Sequence, residues 1–97
     1  AALSALKGQP HFVAAAKAGV AACMEQNGEY EAAAEAYEKV VSQHKGIPLA
    51  PRYLLRAARC YTLASNAERA TDLYTTIIND YPDSNEKLDA VMLKALL

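Results

Sequence analysis

Glycine and proline are scarce, four of each in 97 residues, too few for the turns of a many-stranded all-β fold. Only two cysteines occur, which do not make a disulfide framework. No apolar run approaches the roughly 20 residues of a membrane span, so this segment is not expected to insert into a membrane. The opening AALSALKGQP has no basic start followed by an apolar stretch and does not read as a signal peptide. It also lacks an initiating methionine, and the chain reads as an excised or processed domain of a longer one. Charge of neither sign dominates. Ten Lys and Arg stand against eleven Asp and Glu, a net charge of −1, which argues against a general nucleic-acid surface. Glycine-rich phosphate loops, zinc-like Cys and His spacings and nucleophile–base pairs are all missing. No catalytic residue, metal ligand or cofactor is expected, and the chain is not expected to be an enzyme.

What is present is apolar and helix-forming. Hydrophobic residues make up 53% and charged residues 22% of the chain, so disorder is excluded. Alanine alone supplies about a fifth of the residues. It is the best helix former and a poor strand former, so the composition points to an all-helical domain with close helix packing.

Periodicity predicts five helices. Pro10 suits a first helical turn, where its missing N–H costs little. In residues 10–27, Phe12, Val13, Val20, Cys23 and Met24 recur mainly at three, four and seven residues, as a buried face would. Gly28 can take the left-handed conformation that ends a helix. A second helix runs from about Glu29 to Gln43, with Glu29 and Glu31 at its dipole-favoured start and Tyr30, Ala33, Ala34, Tyr37, Val40 and Val41 as its apolar face. After the loop HKGIPLA comes a third, roughly Pro51 to Ala64, with Tyr53, Leu54, Ala57, Ala58 and Tyr61 inward. Ser65-Asn66 replaces the glycine stop, and Asn66 can cap the fourth helix, about Ala67 to Asn79. Tyr81-Pro82-Asp83-Ser84 breaks that helix. The fifth spans about Asn85 to Leu97, with Leu88, Val91, Met92, Ala95 and Leu96 as its stripe. Residues 1–7 read as the tail of a preceding helix capped by Gly8.

The helices come in similar pairs. A shift of 37 residues carries Ala21 onto Ala58, Cys23 onto Cys60, Glu31 onto Glu68, Ala33 onto Ala70, Tyr37 onto Tyr74, and Val40-Val41 onto Ile77-Ile78. In the second unit, small Ala58 is followed by Tyr61, small Ala70 by Tyr74, and Pro82 closes the unit. Gly28-Glu29 before Tyr30 supplies the first unit's turn. This pattern resembles the tetratricopeptide repeat, a helix–turn–helix unit of about 34 residues. Lys17 and Leu54 depart from it at the tryptophan position, as does Met24 at the first unit's aromatic position. The first unit lacks the closing proline and carries about three extra residues before the next helix. The resemblance implies a right-handed α-solenoid of about two such units plus a C-terminal capping or third-repeat helix. One domain, 1–97, is then divided into residues 1–9 as a preceding tail, 10–47 as repeat 1, 48–84 as repeat 2 and 85–97 as a cap or the start of repeat 3.

Cys23 and Cys60 hold equivalent places in successive units, too far apart for a disulfide, and are expected as reduced thiols packed as small apolar groups. His11 and His44 fall near helix ends. Arg52, Arg56 and Arg59 lie at i, i+4 and i+7 on one helix face. The resemblance implies that first helices line a concave groove, with Ala15, Ala18, Ala22, Glu25 and Gln26 facing it in the first unit and Arg52, Leu55, Arg59, Thr62 and Leu63 in the second. Some relatives clamp a peptide's terminal carboxylate there with lysine, asparagine and arginine. The matching first-unit positions are alanines, so that clamp is not expected. Two readings stand side by side: an arginine-lined groove for an acidic or extended peptide, or arginines that pair with Glu25, Glu29, Glu68 or Asp72. The resulting expectation is a non-catalytic protein–protein interaction module, part of a larger scaffold, whose partner is another protein or peptide. The alternatives are a docking or regulatory segment of a multidomain enzyme, or an oligomerisation element whose groove is filled by a helix. Leu49-Ala50-Pro51 and Tyr81-Pro82-Asp83-Ser84 resemble bacterial members of the family, which implies a soluble domain of the bacterial cytoplasm or the periplasmic side of the envelope.

Overall fold

The computed structural model describes residues 10–44 and 46–97, with side chains from Phe12 onward. The expected helix tail at residues 1–9 lies outside them, as does the side chain of His11. Among the described residues five helices follow in order: α1 (Pro10–Gln26), α2 (Tyr30–Gln43), α3 (Ala50–Leu63), α4 (Ala67–Asp80) and α5 (Glu86–Ala95). The described residues contain no strand.

The two helix–turn–helix units share one turn geometry. At the end of α1, the Glu29 N–H donates to the Met24 carbonyl (2.9 Å) and the Gly28 N–H to the Glu25 carbonyl (3.1 Å). Gly28 stands at φ +82°, the left-handed cap conformation. Exactly one repeat later in sequence register, the Asn66 N–H donates to the Tyr61 carbonyl (2.8 Å) and the Ser65 N–H to the Thr62 carbonyl (3.1 Å). Ser65 holds the glycine's place at φ +64°. Asn66 then starts α4, its side-chain oxygen accepting the Arg69 N–H at 3.2 Å.

Each helix packs extensively on the next in sequence, and α3 and α5 touch more sparsely. The result is an elongated slab of 47 × 32 × 17 Å. Alanines hold the tight crossings: Ala21, Ala33, Ala34, Ala57, Ala58, Ala70 and Ala90 are all fully buried, and small side chains permit helix axes about 8–10 Å apart. Between them Tyr37 and Tyr74 are the largest fully buried side chains. Tyr37 of α2 stacks on Tyr53 of α3, ring centres 6.2 Å apart and planes at 24°, joining one unit to the next. Ile47, in the connecting loop, is also buried.

Two apolar faces differ from their sequence reading. In α1 the buried residues are Ala14, Ala18 and Ala21; Val20 is 56% exposed and Cys23 is exposed, while Phe12, Val13 and Met24 are half-buried. Only Cys60 of the two thiols is packed in the core. In α5 the buried residue is Ala90, with Leu93 partly covered, whereas Leu88, Val91, Met92 and Leu96 face outward. In both helices the small residues make the close contact, with Met24 of α1 and Leu93 of α5 packed against the core beside them, because a close crossing admits only a short side chain.

Candidate functional site

Helix α3 presents Arg52, Arg56 and Arg59 along one exposed face, with α1 on one side and α5 on the other. The arginines are where they are because the opposite face of α3 is fully committed to the core through Tyr53, Leu54, Ala57, Ala58, Cys60 and Tyr61. Between α3 and α5 lies a hollow of about 420 Å³, lined by the three arginines, Leu55 and Leu63 on one side and by Glu25, Glu86 and Asp89 around it. Between α1 and α3 lies a smaller slot of about 220 Å³. Ala18, Gly19 and Ala22 line it from α1 and the buried Tyr37 and Tyr53 from α2 and α3, with the exposed Arg52 and Arg56 beside Leu49.

The arginines are largely unpaired. Arg52 Nε reaches Glu86 Oε2 only at 4.0 Å. Among the described residues Arg56 and Arg59 form no ion pair. None of the partners considered from sequence is engaged with them: Asp72 lies 3.7 Å from Arg69 instead. A guanidinium left open to solvent on a groove wall retains its capacity for bidentate contact with a carboxylate.

Beneath the arginines lies a polar cluster. The Tyr37 hydroxyl donates to Glu25 Oε1 at 3.5 Å. Burial pushes the Tyr37 hydroxyl above its ordinary range, and the neighbouring Arg56 guanidinium pulls it back down. Burial and then Glu25 push the Cys60 thiol up to about 12, so this cysteine stays protonated and inert. In the second unit burial likewise raises Tyr74, with Thr62 and Arg59 acting in the opposite direction. On the far side of the molecule, His44 closes α2, its N–H donating to the Val40 carbonyl at 3.0 Å, and its Nε2 lies 3.3 Å from Lys17 Nζ. Among the described residues no cluster of three or more His, Cys, Asp or Glu is placed to hold a metal ion.

The groove residues named from sequence fall as follows. Arg52, Leu55, Arg56, Arg59, Leu63 and Glu25 line the larger hollow, and Ala18 and Ala22 the smaller. Thr62 sits apart, with Arg59, Leu63, Tyr74 and Leu93 around a third recess of about 170 Å³. Ala15 and Gln26 are exposed and line neither of the first two. Gly19, Tyr37, Leu49 and Tyr53 of the smaller hollow, and Glu86 and Asp89 of the larger, are not among the groove residues expected from sequence. A signal for the last two was present: the repeat shift places Asp89 on Arg52 and Glu86 on Leu49, and α5 simply had to be read in the same register.

A family model described as tetratricopeptide repeat matches residues 24–97, from the end of α1 through α5. The chain belongs to the tetratricopeptide repeat family. Repeats of this family generally mediate protein–protein interactions and are generally non-catalytic. Comparison with curated proteins and with solved structures gives no match. No helix among the described residues of this tetratricopeptide repeat chain is long and apolar enough to cross a membrane.

Proposed function

We propose that this chain is a non-catalytic module that presents the groove of α1, α3 and α5 to a segment of a partner protein, as one part of a larger scaffold. Residues 10–47 and 48–84 act as successive repeats, and 85–97 as a cap or the opening helix of a third. The observation that carries this reading is the row of exposed arginines on α3, two of them without an ion pair among the described residues, beside a hollow of about 420 Å³. A stiff two-unit array holds such a surface in a fixed shape, so a partner meets little ordering cost on the module's side. The test is titration of the chain with peptides graded from acidic to basic, at low and moderate salt. Saturable binding that disappears when Arg52, Arg56 and Arg59 are all replaced by alanine supports the reading. Binding untouched by that triple replacement, or none to any peptide, overturns it.

The outward stripe of α5 favours a second reading, in which the chain is an oligomerisation element. Leu88 is 72% and Leu96 82% exposed. Light scattering over a range of concentrations separates the two: a mass that rises with concentration, and returns to the monomer value in Leu88→Lys, favours oligomerisation.

A further inference from the structure

The turn between α1 and α2 holds the one Asn-Gly pair of the sequence, Asn27-Gly28, and both residues are exposed. Three further asparagines occur, Asn66, Asn79 and Asn85, followed by Ala67, Asp80 and Glu86. Each of those followers carries a side chain that crowds its own backbone nitrogen. Asn66 also commits its side-chain oxygen to the Arg69 N–H at 3.2 Å, and Asn79 lies within α4. What Gly28 lacks matters twice. The missing side chain allows φ +82°, the conformation that ends α1. It also leaves the Gly28 nitrogen unshielded, and the place a Cβ would take is empty to 4 Å.

We propose that Asn27 is a site of spontaneous deamidation and backbone isomerisation, with water as the co-reactant. The Gly28 backbone nitrogen attacks Asn27 Cγ, an attack within one chain whose partners stay a few bonds apart. A C–N bond forms, the side-chain amide nitrogen leaves as ammonia with the Gly28 proton, and a five-membered succinimide closes. Water then opens the ring. Breaking the bond from the Gly28 nitrogen to Cγ gives aspartate. Breaking its bond to the Asn27 main-chain carbonyl carbon gives isoaspartate, whose backbone runs through Cβ. In sum, one amide and one water become one carboxylate and one ammonium ion. The Gly28 N–H donates to the Glu25 carbonyl at 3.1 Å, so the attack waits on the opening of one exposed turn at a helix end. Either product fits that turn worse than the amide does. A carboxylate at the C-terminal end of α1 opposes the helix dipole and stands in sequence between Glu25 and Glu29. Isoaspartate lengthens the backbone by one carbon and shifts the Gly28 and Glu29 amides from the Glu25 and Met24 carbonyls that accept them. Ageing therefore loosens the first unit and spares the second, where Ala64-Ser65 hold the same places.

The test holds the 97-residue chain and, beside it, the peptide Met24–Tyr30 at mildly alkaline pH and body temperature for days to weeks. The protein should gain about 1 Da per molecule, and tandem mass spectrometry of its digest should place the gain on Asn27, as both aspartate and isoaspartate. Its rate should trail that of the peptide by no more than about a hundredfold, the cost of opening one turn. Asn27→Gln, whose longer side chain would have to close a six-membered ring, should gain no mass over the same period. The aged fraction, separated on its extra negative charge, should melt about 2–5 °C below the fresh protein. A parent protein that keeps its mass while the peptide converts overturns the proposal, because the turn then shields its own amide. So does a gain placed on Asn66, Asn79 or Asn85, or one that persists in Asn27→Gln. An aged fraction that melts with the fresh protein overturns the loosening of the first unit.

Discussion

Ser65 occupies the left-handed cap position that Gly28 fills one repeat earlier. A non-glycine residue there carries a steric penalty that glycine avoids, partly offset by glycine's larger loss of chain freedom. Ser65→Gly is therefore expected to stabilise the protein by about 0.5–1 kcal/mol, and Gly28→Ala to destabilise it by about 1 kcal/mol. Urea unfolding of the two variants measures both, and a loss of stability in Ser65→Gly would mean that the serine has a partner the turn geometry does not reveal. The two thiols give a second residue-scale expectation. Cys23 is exposed and Cys60 buried, so a thiol reagent at neutral pH should label one cysteine in the native protein and two after denaturation. The same burial ties stability to alkaline pH. Cys60 and Tyr61 are both pushed up to about 12, from ordinary values of 9.0 and 10.0, chiefly by burial. A raised folded-state value means that the folded form favours the protonated group. That contribution is complete below about pH 9 and is lost as pH climbs toward 12. Melting temperatures should fall steadily from pH 9 upward, and a flat profile to pH 11 would contradict the assignment.

At the scale of helices, the number, order and approximate bounds of the elements among the described residues were legible, because Gly28, Asn66 and Pro82 punctuate the chain at turns the structure retains. Faces were legible only where bulky and small apolar residues lie on the same side. In α2, α3 and α4 Tyr37, Val40, Leu54, Leu73 and Tyr74 flank the alanines, and the expected faces are the buried ones. In α1 and α5 most bulky residues, Val20, Leu88, Val91 and Met92 among them, lie away from the contact alanines while Met24 and Leu93 stay against the core, and periodicity weighted toward size selects the wrong side. The arginine row was visible as an i, i+4, i+7 pattern. Its acidic surroundings were legible only through the repeat register, which puts Asp89 on Arg52; bulk alone turns α5 the wrong way, because its rotation depends on Ala90 at its contact with the core. This rotation has a direct consequence. Ala90 is fully buried and Leu88 is 72% exposed, so Ala90→Leu should cost about 1–3 kcal/mol by overpacking, whereas Leu88→Lys should stay within about 0.5 kcal/mol. The reverse order in thermal unfolding would show that the stripe, not the alanine, is the contact.

At the scale of the whole molecule, stability in a stacked array depends on each unit's own packing and on the interface between neighbours. The interface between the two helix pairs has one conspicuous polar link. Glu38 of α2 accepts hydrogen bonds from the Tyr61 hydroxyl of α3 and from Arg69 of α4, so a single carboxylate reaches both helices of the next pair. The Arg69 guanidinium also lies over the Tyr61 ring, 5.5 Å from its centre. Glu38 is mostly shielded, at 23% exposure, and Arg69 less so at 45%, which places the link between a buried and a surface ion pair in strength. Glu38→Ala leaves a partly buried hydroxyl without its acceptor and should cost about 1–2 kcal/mol. The decisive quantity is the coupling. In a double-mutant cycle, Glu38→Ala and Arg69→Ala should be non-additive by about 0.5–1 kcal/mol. The doubly substituted protein should also unfold over a broader urea range than the parent, because the two pairs then share less of their interface. Additivity within about 0.3 kcal/mol, with an unchanged transition width, would assign the joining of the units to Tyr37 stacked on Tyr53 and to the alanine crossings alone.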